Sequence, residues 1–419
     1  MRFSFNLLII WLLAIPATGQ ALTLNESVSL AIQSNPIART LEADVDSSKA
    51  RLKQTGANRH PQISISTEQG SSRSSSSGWA HLTQSSVRLK QLVYDFQKTA
   101  RQIESSQKTL DSKQFQLKEG RQRLALLVSK AFLEVLKLDR ILILIDNNIV
   151  FYEQLLSVMR TREKAGASTF SDVQRIVSLL QSARQSKITY LSDSNFAKEA
   201  FTLIVGAPPV DLQPPLLEKL TLAQSQQAVL KKAKQDYFGV LVKKYQMESA
   251  HFAFKKSLRD LYPDITLEAS VVNEQSLKTQ NNWNTDQRVA LVLSYDLWDG
   301  KRTRHKSDES RSQLMRSRYQ MEDYLKTLER DIREAFSTMQ RLKEEKVVNA
   351  KTLDVNRQIV ELYKKEFDLG QKNLIDITTA QGDYHKSRVD SVYFYYEYYS
   401  SLLSVMFYLN NVTRQVSQL

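Results

Sequence analysis

The sequence predicts a mainly α fold with a small β part: one plan of helix, strand, strand, long helix and helix, used twice. Three observations lead there. Lys98 to Lys164 is a 67-residue stretch with no Pro and a single Gly, Gly120. Within it small or apolar residues recur every seven positions, at Ile103, Leu110, Leu117, Leu124, Ala131, Leu138, Ile145, Tyr152 and Met159. A helix rises about 1.5 Å per residue, so this is one stave of roughly 100 Å. A strict seven-residue period winds such a helix left-handedly around its neighbours. Ahead of it lie two segments that alternate apolar with polar residues, the period of a strand with one apolar face. The pattern then returns at a fixed offset of 204: Asp95 and Asp299, Gly166 and Gly370, and Asp172 and Asp376 all share it. Leu110, Leu117, Leu124, Ala131 and Leu138 fall on Leu314, Met321, Leu328, Ala335 and Leu342. So many landmarks at one spacing mark a tandem duplication.

Taken in order, residues 1–21 read as a secretory leader. Arg2 supplies its basic start, Leu7 to Ile15 its apolar core, and Pro16 to Ala21 its small-residue end. The apolar run is too short for a membrane-spanning helix. The first repeat is expected over 22–205. It opens with a helix pair broken at Asn35-Pro36, since the residue before Pro avoids the helical region. Pro61 ends that pair. Gln62 to Gln69 then alternates, with Ile63, Ile65 and Thr67 on one face and Ser64, Ser66 and Glu68 on the other. A Ser/Gly-rich loop is expected from Gly70 to Gly78, holding the start of a hairpin whose second strand carries Val87, Leu89 and Val93. The long helix follows. It stops at Gly166, suited to the left-handed position beyond a helix end, and Ser171 and Asp172 open a returning helix to about Val205.

Residues 206–221 form a linker, which holds Pro208, Pro209, Pro214 and Pro215, half of the eight prolines in the chain. The second repeat is expected over 222–412, with 413–419 as a short tail. Leu222 to Leu261 reads as helical and Pro263 ends it. Ile265, Leu267, Ala269 and Val271 alternate with Thr266, Glu268 and Ser270, and Val289, Leu291 and Leu293 form the next strand after a polar loop at Asn281-Asn282. Trp79 and Trp283 are expected in the inter-strand loops. The second stave runs from Asp299 to about Leu369, and the aromatic run Tyr393 to Tyr399 reads as helix packing.

Composition narrows the function. Cys is absent, which removes disulfides, thiolate metal sites and a lipid-modified Cys after the leader. The net charge of +13 comes from 58 basic and 45 acidic residues that are intermixed, as on solvated helix faces, so no nucleic acid partner is expected. No phosphate loop, HExxH or Gly-x-Ser-x-Gly motif occurs, and the five His are scattered. Neither catalysis nor a cofactor is expected. The strands are long enough to cross a bilayer when tilted, but a bilayer tolerates no open sheet edge. Four strands cannot enclose a lumen, so several chains must share one barrel. The alternative is a soluble periplasmic coiled-coil scaffold capped by a four-stranded sheet.

These residues resemble the TolC family of outer-membrane efflux and secretion factors. The carriers are Asn35-Pro36, Leu92-Val93-Tyr94-Asp95-Phe96, Tyr295-Asp296-Leu297-Trp298-Asp299-Gly300, and the two turns Gly166 to Gln174 and Gly370 to Asp376. The resemblance implies a homotrimer in the outer membrane, in contact with its lipid: a trimeric α-helical barrel continued by a 12-stranded transmembrane β-barrel, four strands per chain. It implies a periplasmic adaptor (a membrane fusion protein) and an inner-membrane pump, ABC or proton-driven. Type I protein secretion is the expected task, with drug or small-molecule efflux as the alternative. The two turns would form the periplasmic entrance. There Asp376 would belong to an aspartate ring, Ser171 and Asp172 would accept bonds from the neighbouring turn, and Lys372 would stand in the same network. Phe367 replaces a Tyr of the family's best-known member and Thr379 a second acidic residue. The expectation is therefore a single ring and a tip held partly by apolar packing. Read from the residues alone, Asp172 and Asp376 suit the first turn of any helix.

Overall fold

The computed structural model describes residues 21–74, 78–276 and 283–419. All but the last residue of the expected leader, and the Asn281-Asn282 loop, lie outside them. The first repeat runs α1 (Leu24–Ser34), α2 (Pro36–Ala57), β1 (Gln62–Ser74), β2 (Gly78–Tyr94), α3 (Lys98–Lys164) and α4 (Phe170–Val205). The second runs α5 (Gln226–Asp236), α6 (Phe238–Arg259), β3 (Asp264–Ser276), β4 (Trp283–Ser294), α7 (Arg302–Asp368) and α8 (Leu374–Phe407), followed by α9 (Val412–Val416). Both staves, α3 and α7, have 67 residues; α2 and α6 both have 22. The duplication is thus a property of the fold as well as of the sequence.

Local chemistry explains the joints. Thr23 and Glu26 form a reciprocal capping box that starts α1. Asn35 ends α1 and starts α2: its side chain accepts from the Ile37 N–H at 3.0 Å, and Pro36 sits where no helical N–H is needed. The second repeat breaks at the equivalent place without a Pro, so the continuous helix expected from Leu222 to Leu261 is two helices. A tertiary clamp makes the break. Tyr237 takes an extended conformation and is buried, with its hydroxyl donating to Glu119 at 2.9 Å. Asn410 then satisfies both loose ends, donating to the Asp236 carbonyl at 2.8 Å and accepting from the Phe238 N–H at 3.1 Å.

The strand-to-stave joints also repeat. Phe96 and Gln97 are left-handed before α3, and Gly300 and Lys301 before α7. Asp95 then accepts from the Thr99 N–H at 2.6 Å, and Asp299 from the Thr303 N–H at 2.8 Å, capping each stave. Phe96 holds a conformation that glycine adopts freely, and its ring stacks on Tyr262 at 5.2 Å between centroids.

Helix lengths set the packing. Each stave is covered over part of its length by a short helix and over part by its returning helix, α2 and α4 against α3. Where these covers meet, near the middle of the staves, lies the main core. Phe132 and Leu133 of α3, Phe201 of α4, Ile332 of α7 and Leu402, Leu403 and Met406 of α8 are all fully buried there. Each such side chain contributes about 1.5–3 kcal/mol by leaving water. Leu217 and Leu220 of the linker and Val412 and Val416 of α9 complete it, so the segment expected as a tail begins with a packed helix. The aromatic run is helix packing with a polar purpose. Tyr395, Tyr398 and Tyr399 surround the Lys346 ammonium at 4.8, 5.3 and 4.9 Å, and Tyr395 donates to Glu218 of the linker at 2.6 Å.

The four strands form one antiparallel sheet in the order β1-β2-β3-β4, joining the repeats through β2 and β3. The strands are longer than expected. Most of the loop expected from Gly70 to Gly78 is strand: β1 continues to Ser74, β2 starts at Gly78, and the two pair in unbroken register. Backbone pairing with a neighbour propagates through Ser and Gly, although their side chains favour turns. Trp79 and Trp283 are for the same reason strand residues, not loop residues.

Candidate channel wall and entrance

The wall comes first, because it places the entrance. Cross-strand partners share a face, so the register defines two surfaces. One carries the row Ile63, Leu89, Ala269 and Val289 and the row Ile65, Val87, Val271 and Gln287, with Leu267 opposite Leu291 and Ile265 opposite Leu293. This face is bare: Ile65 is 77% exposed, Val289 75% and Leu291 67%. The other carries Gln62, Lys90, Glu268, then Ser64, Arg88, Ser270 and Arg288. It is the more sheltered face, with Ser86 and Thr266 buried and Ser66 bonded to Ser86 at 2.8 Å. An apolar skin of this extent on a protein in water would aggregate. The sheet also leaves β1 and β4 as unpaired edges.

The helices leave matching edges. Among the staves and returning helices, the packing order is α4, α3, α8, α7. Its two ends expose apolar side chains: Ile188, Phe196 and Leu203 on α4, and Val347, Val348, Val355 and Leu362 on α7. The single chain is an open row of helices with apolar flanks. No helix among the described residues is long and apolar enough to cross a membrane.

At the far end of the staves the structure brings together the residues expected at the entrance. Both turns are closed by the same device. Ala167 N–H donates to the Arg162 carbonyl at 2.8 Å and Gly166 N–H to Glu163 at 2.9 Å; Gln371 repeats this with Glu366 at 2.8 Å and Gly370 with Phe367 at 3.1 Å. Gly166 and Gly370 have φ of 73° and 76°, with open space where a Cβ would stand. Only the backbone conformation demands glycine. Gly370→Ala should therefore cost about 1–2 kcal/mol, read as a lower denaturation midpoint, while Gly382→Ala, in the interior of α8, should not.

The two aspartates differ in what they are given to do. Asp172 accepts three bonds, from the Thr169 hydroxyl at 2.8 Å, the Thr169 N–H at 3.2 Å and the Ser168 hydroxyl at 3.2 Å. The Thr169 donors hold its carboxyl below the usual range. A depressed carboxyl stabilises the fold above its unfolded pKa of about 4 and loses that contribution as pH falls. Asp376 caps α8 with Asn373 but accepts, among the described residues, only one long bond, from the Asn373 N–H at 3.3 Å. Its lone pairs are largely unspent. Ser171 is exposed, and its side chain has no hydrogen-bond partner among the described residues. Lys372 lies over the Tyr363 ring at 4.5 Å, and Thr379 is exposed.

Phe367 is buried, 4% exposed, among Tyr152, Leu155, Leu156, Met159, Ile176, Leu374 and Ile377. It thereby joins the α7–α8 turn to the α3–α4 turn. Arg162 covers its ring at 4.5 Å and donates to its carbonyl at 3.3 Å. Sequence reasoning missed Arg162; a basic residue in the last turn of a helix is explained by the dipole alone, so its sequence signal is weak. A buried bond from Gln381 to Asn148 at 2.9 Å ties the same two hairpins together further from the turns.

An open sheet with an apolar skin, continued by an open row of long staves, defines the wall segment of a membrane channel. The model of the outer membrane efflux protein family matches residues 27–207 and 230–411, and the chain belongs to that family. It is a channel protein of the outer membrane whose helical tunnel extends into the periplasm. The scaffold alternative falls with that finding, and the family is one of transport channels rather than enzymes. No curated protein sequence matches the chain.

Solved structures agree on the fold. A membrane protein from Pseudomonas aeruginosa superposes with a TM-score of 0.81 at 17% identity, covering 92% of this chain and 93% of that one. VceC, an outer membrane protein from Vibrio cholerae, gives 0.79 at 15%, covering 93% and 95%. The open state of the MtrE outer membrane channel from Neisseria gonorrhoeae gives 0.80 at 14%, covering 92% and 88%.

Proposed function

We propose that three copies of this chain close into a channel-tunnel that carries cargo from a periplasmic adaptor and an inner-membrane pump to the exterior. The observation that carries this reading is the bare sheet with two unpaired edges. Each unpaired backbone group left in hydrocarbon would cost several kcal/mol, and pairing β4 of one copy with β1 of the next removes both edges. Three chains of four strands give a barrel of twelve. The apolar flanks of α4 and α7 meet on the same closure. Residues 1–21 are proposed to direct export and to be removed, and 206–221 to link repeats 22–205 and 222–412.

The cargo is proposed to be polypeptide, by type I secretion, supported by the Tyr94-Asp95-Phe96 form and by the lack of a Cys after the leader. Small-molecule efflux is the second reading, favoured by the description of the family itself. A deletion strain decides: loss of a large secreted protein supports the first, and drug sensitivity with secretion intact supports the second.

The tip turns are proposed as the entrance, with Asp376 contributing one carboxylate per copy to a ring and Phe367 holding the tip together. Ser171, the free Oδ1 of Asp172 and Lys372 are proposed to meet the neighbouring copy at the tip. Planar-bilayer recording tests the duct directly: the purified protein should conduct, and trivalent cations should block it from the tunnel side. Asp376→Asn should raise the half-blocking concentration by about tenfold, as expected when one charge per copy is removed from a site built of charged rings. Unchanged block would take Asp376 out of the entrance.

A further inference from the structure

The polar face of the sheet carries charges in an order that the channel reading leaves unexplained. Following the register from the helical end outward, Lys90 and Glu268 face each other and form an ion pair at 3.4 Å. The next row is Ser64, Arg88, Ser270, Arg288. Beyond it comes a row holding Asp286, and then one holding Glu68 and Glu274. The face is therefore neutral, then basic, then acidic.

Arg88 and Arg288 are the unmatched pair. Both are exposed, and neither has an ion-pair partner among the described residues, while Lys90 and Lys98 are each held by a carboxylate. Asp286 lies two residues from Arg288 on the same strand, about 7 Å along it, and makes no ion pair with it. The arginines alternate with Ser64 and Ser270, which are too short to cover them. Guanidinium groups on alternate strands, about 10 Å apart, present planar forks suited to phosphate or carboxylate oxygens.

We propose that this row is an anion-binding belt in the channel lumen, which takes multivalent anions bearing phosphate or carboxylate groups. The inference rests on the three-copy closure proposed above: two arginines per chain become six around one lumen, with Ser hydroxyls between them as secondary donors. The acidic rows stand between the belt and the exterior, so anions reach the belt from the tunnel side and are repelled from the outer mouth. The belt lies in the sheet, at the opposite end of the staves from Asp376.

The test uses the full-length protein in planar bilayers at about 0.1 M salt, where charges are felt over about 10 Å, with inorganic triphosphate as the probe. Triphosphate added on the tunnel side should block the current, and the same addition outside should block less. In the double variant Arg88→Ser and Arg288→Ser the half-blocking concentration should rise by about tenfold or more, because charge-assisted bonds to phosphate are the strong ones. The Arg88→Lys and Arg288→Lys pair should retain part of the block. Equal block in the wild type and in the Ser variant, with conductance intact, overturns the belt and leaves the channel standing. A wild-type protein that forms no channel at all overturns both together.

Discussion

Ile65→Arg should abolish assembly in the outer membrane. Ile65 stands in the middle of the apolar face, 77% exposed, opposite Val87. A cation on the lipid face of a barrel costs about 2–4 kcal/mol at the bilayer midplane. Three copies bring three such charges into one barrel, and the total is comparable to the whole stability of an ordinary domain. The neighbouring Ser66 points to the other face, where Ser66→Arg meets water and should assemble. Outer-membrane fractionation of the two variants separates the faces. Ile65→Arg should be lost from the membrane fraction and Ser66→Arg retained. The reverse outcome would mean that the lumen and lipid faces have been exchanged.

Phe367→Ala should loosen the entrance. The side chain is nearly fully buried between the two hairpin turns. Truncating a buried Phe costs about 3–5 kcal/mol, part of it for the cavity left behind. Arg162 loses the ring it covers, leaving its bond to the residue 367 carbonyl as its remaining tie there. The main core, near the middle of the staves, does not include Phe367, so the damage should stay local. The expected result is a channel that still assembles but shows raised single-channel conductance, with cells newly sensitive to large antibiotics. Phe367→Leu should behave nearly as wild type, because it keeps most of the apolar volume. Wild-type conductance in Phe367→Ala would remove this residue from the closure of the tip.

Much of this architecture was legible in the residues because its signals are periodic. Seven-residue spacing over 67 residues has no reading other than a long supercoiling helix, and the offset of 204 carries the second stave with it. The tip turns were legible for a different reason: a glycine that must be left-handed announces a helix end. Strand length was not legible. Ser71 to Ser74 carry a turn composition, and only pairing with β2 makes them strand. The break at Tyr237 was hidden because its cause, Asn410, lies 173 residues further along the sequence. Among the expected entrance residues, the two aspartates look alike in sequence and differ in structure, since Ser168 and Thr169 place three bonds on one oxygen of Asp172 while Asp376 accepts a single long bond among the described residues. Arg88 and Arg288 read in sequence only as polar positions of alternating strands, because the charge of a strand residue gains meaning only from its row.

One chain is proposed to supply a third of a closed wall. Mass measurement of the protein extracted intact from outer membranes tests it most directly. The extracted particle should hold three chains and conduct ions in a bilayer. A stable particle of one chain in water, without detergent and with Ile63, Ile65 and Leu291 shielded by its own helices, would contradict it.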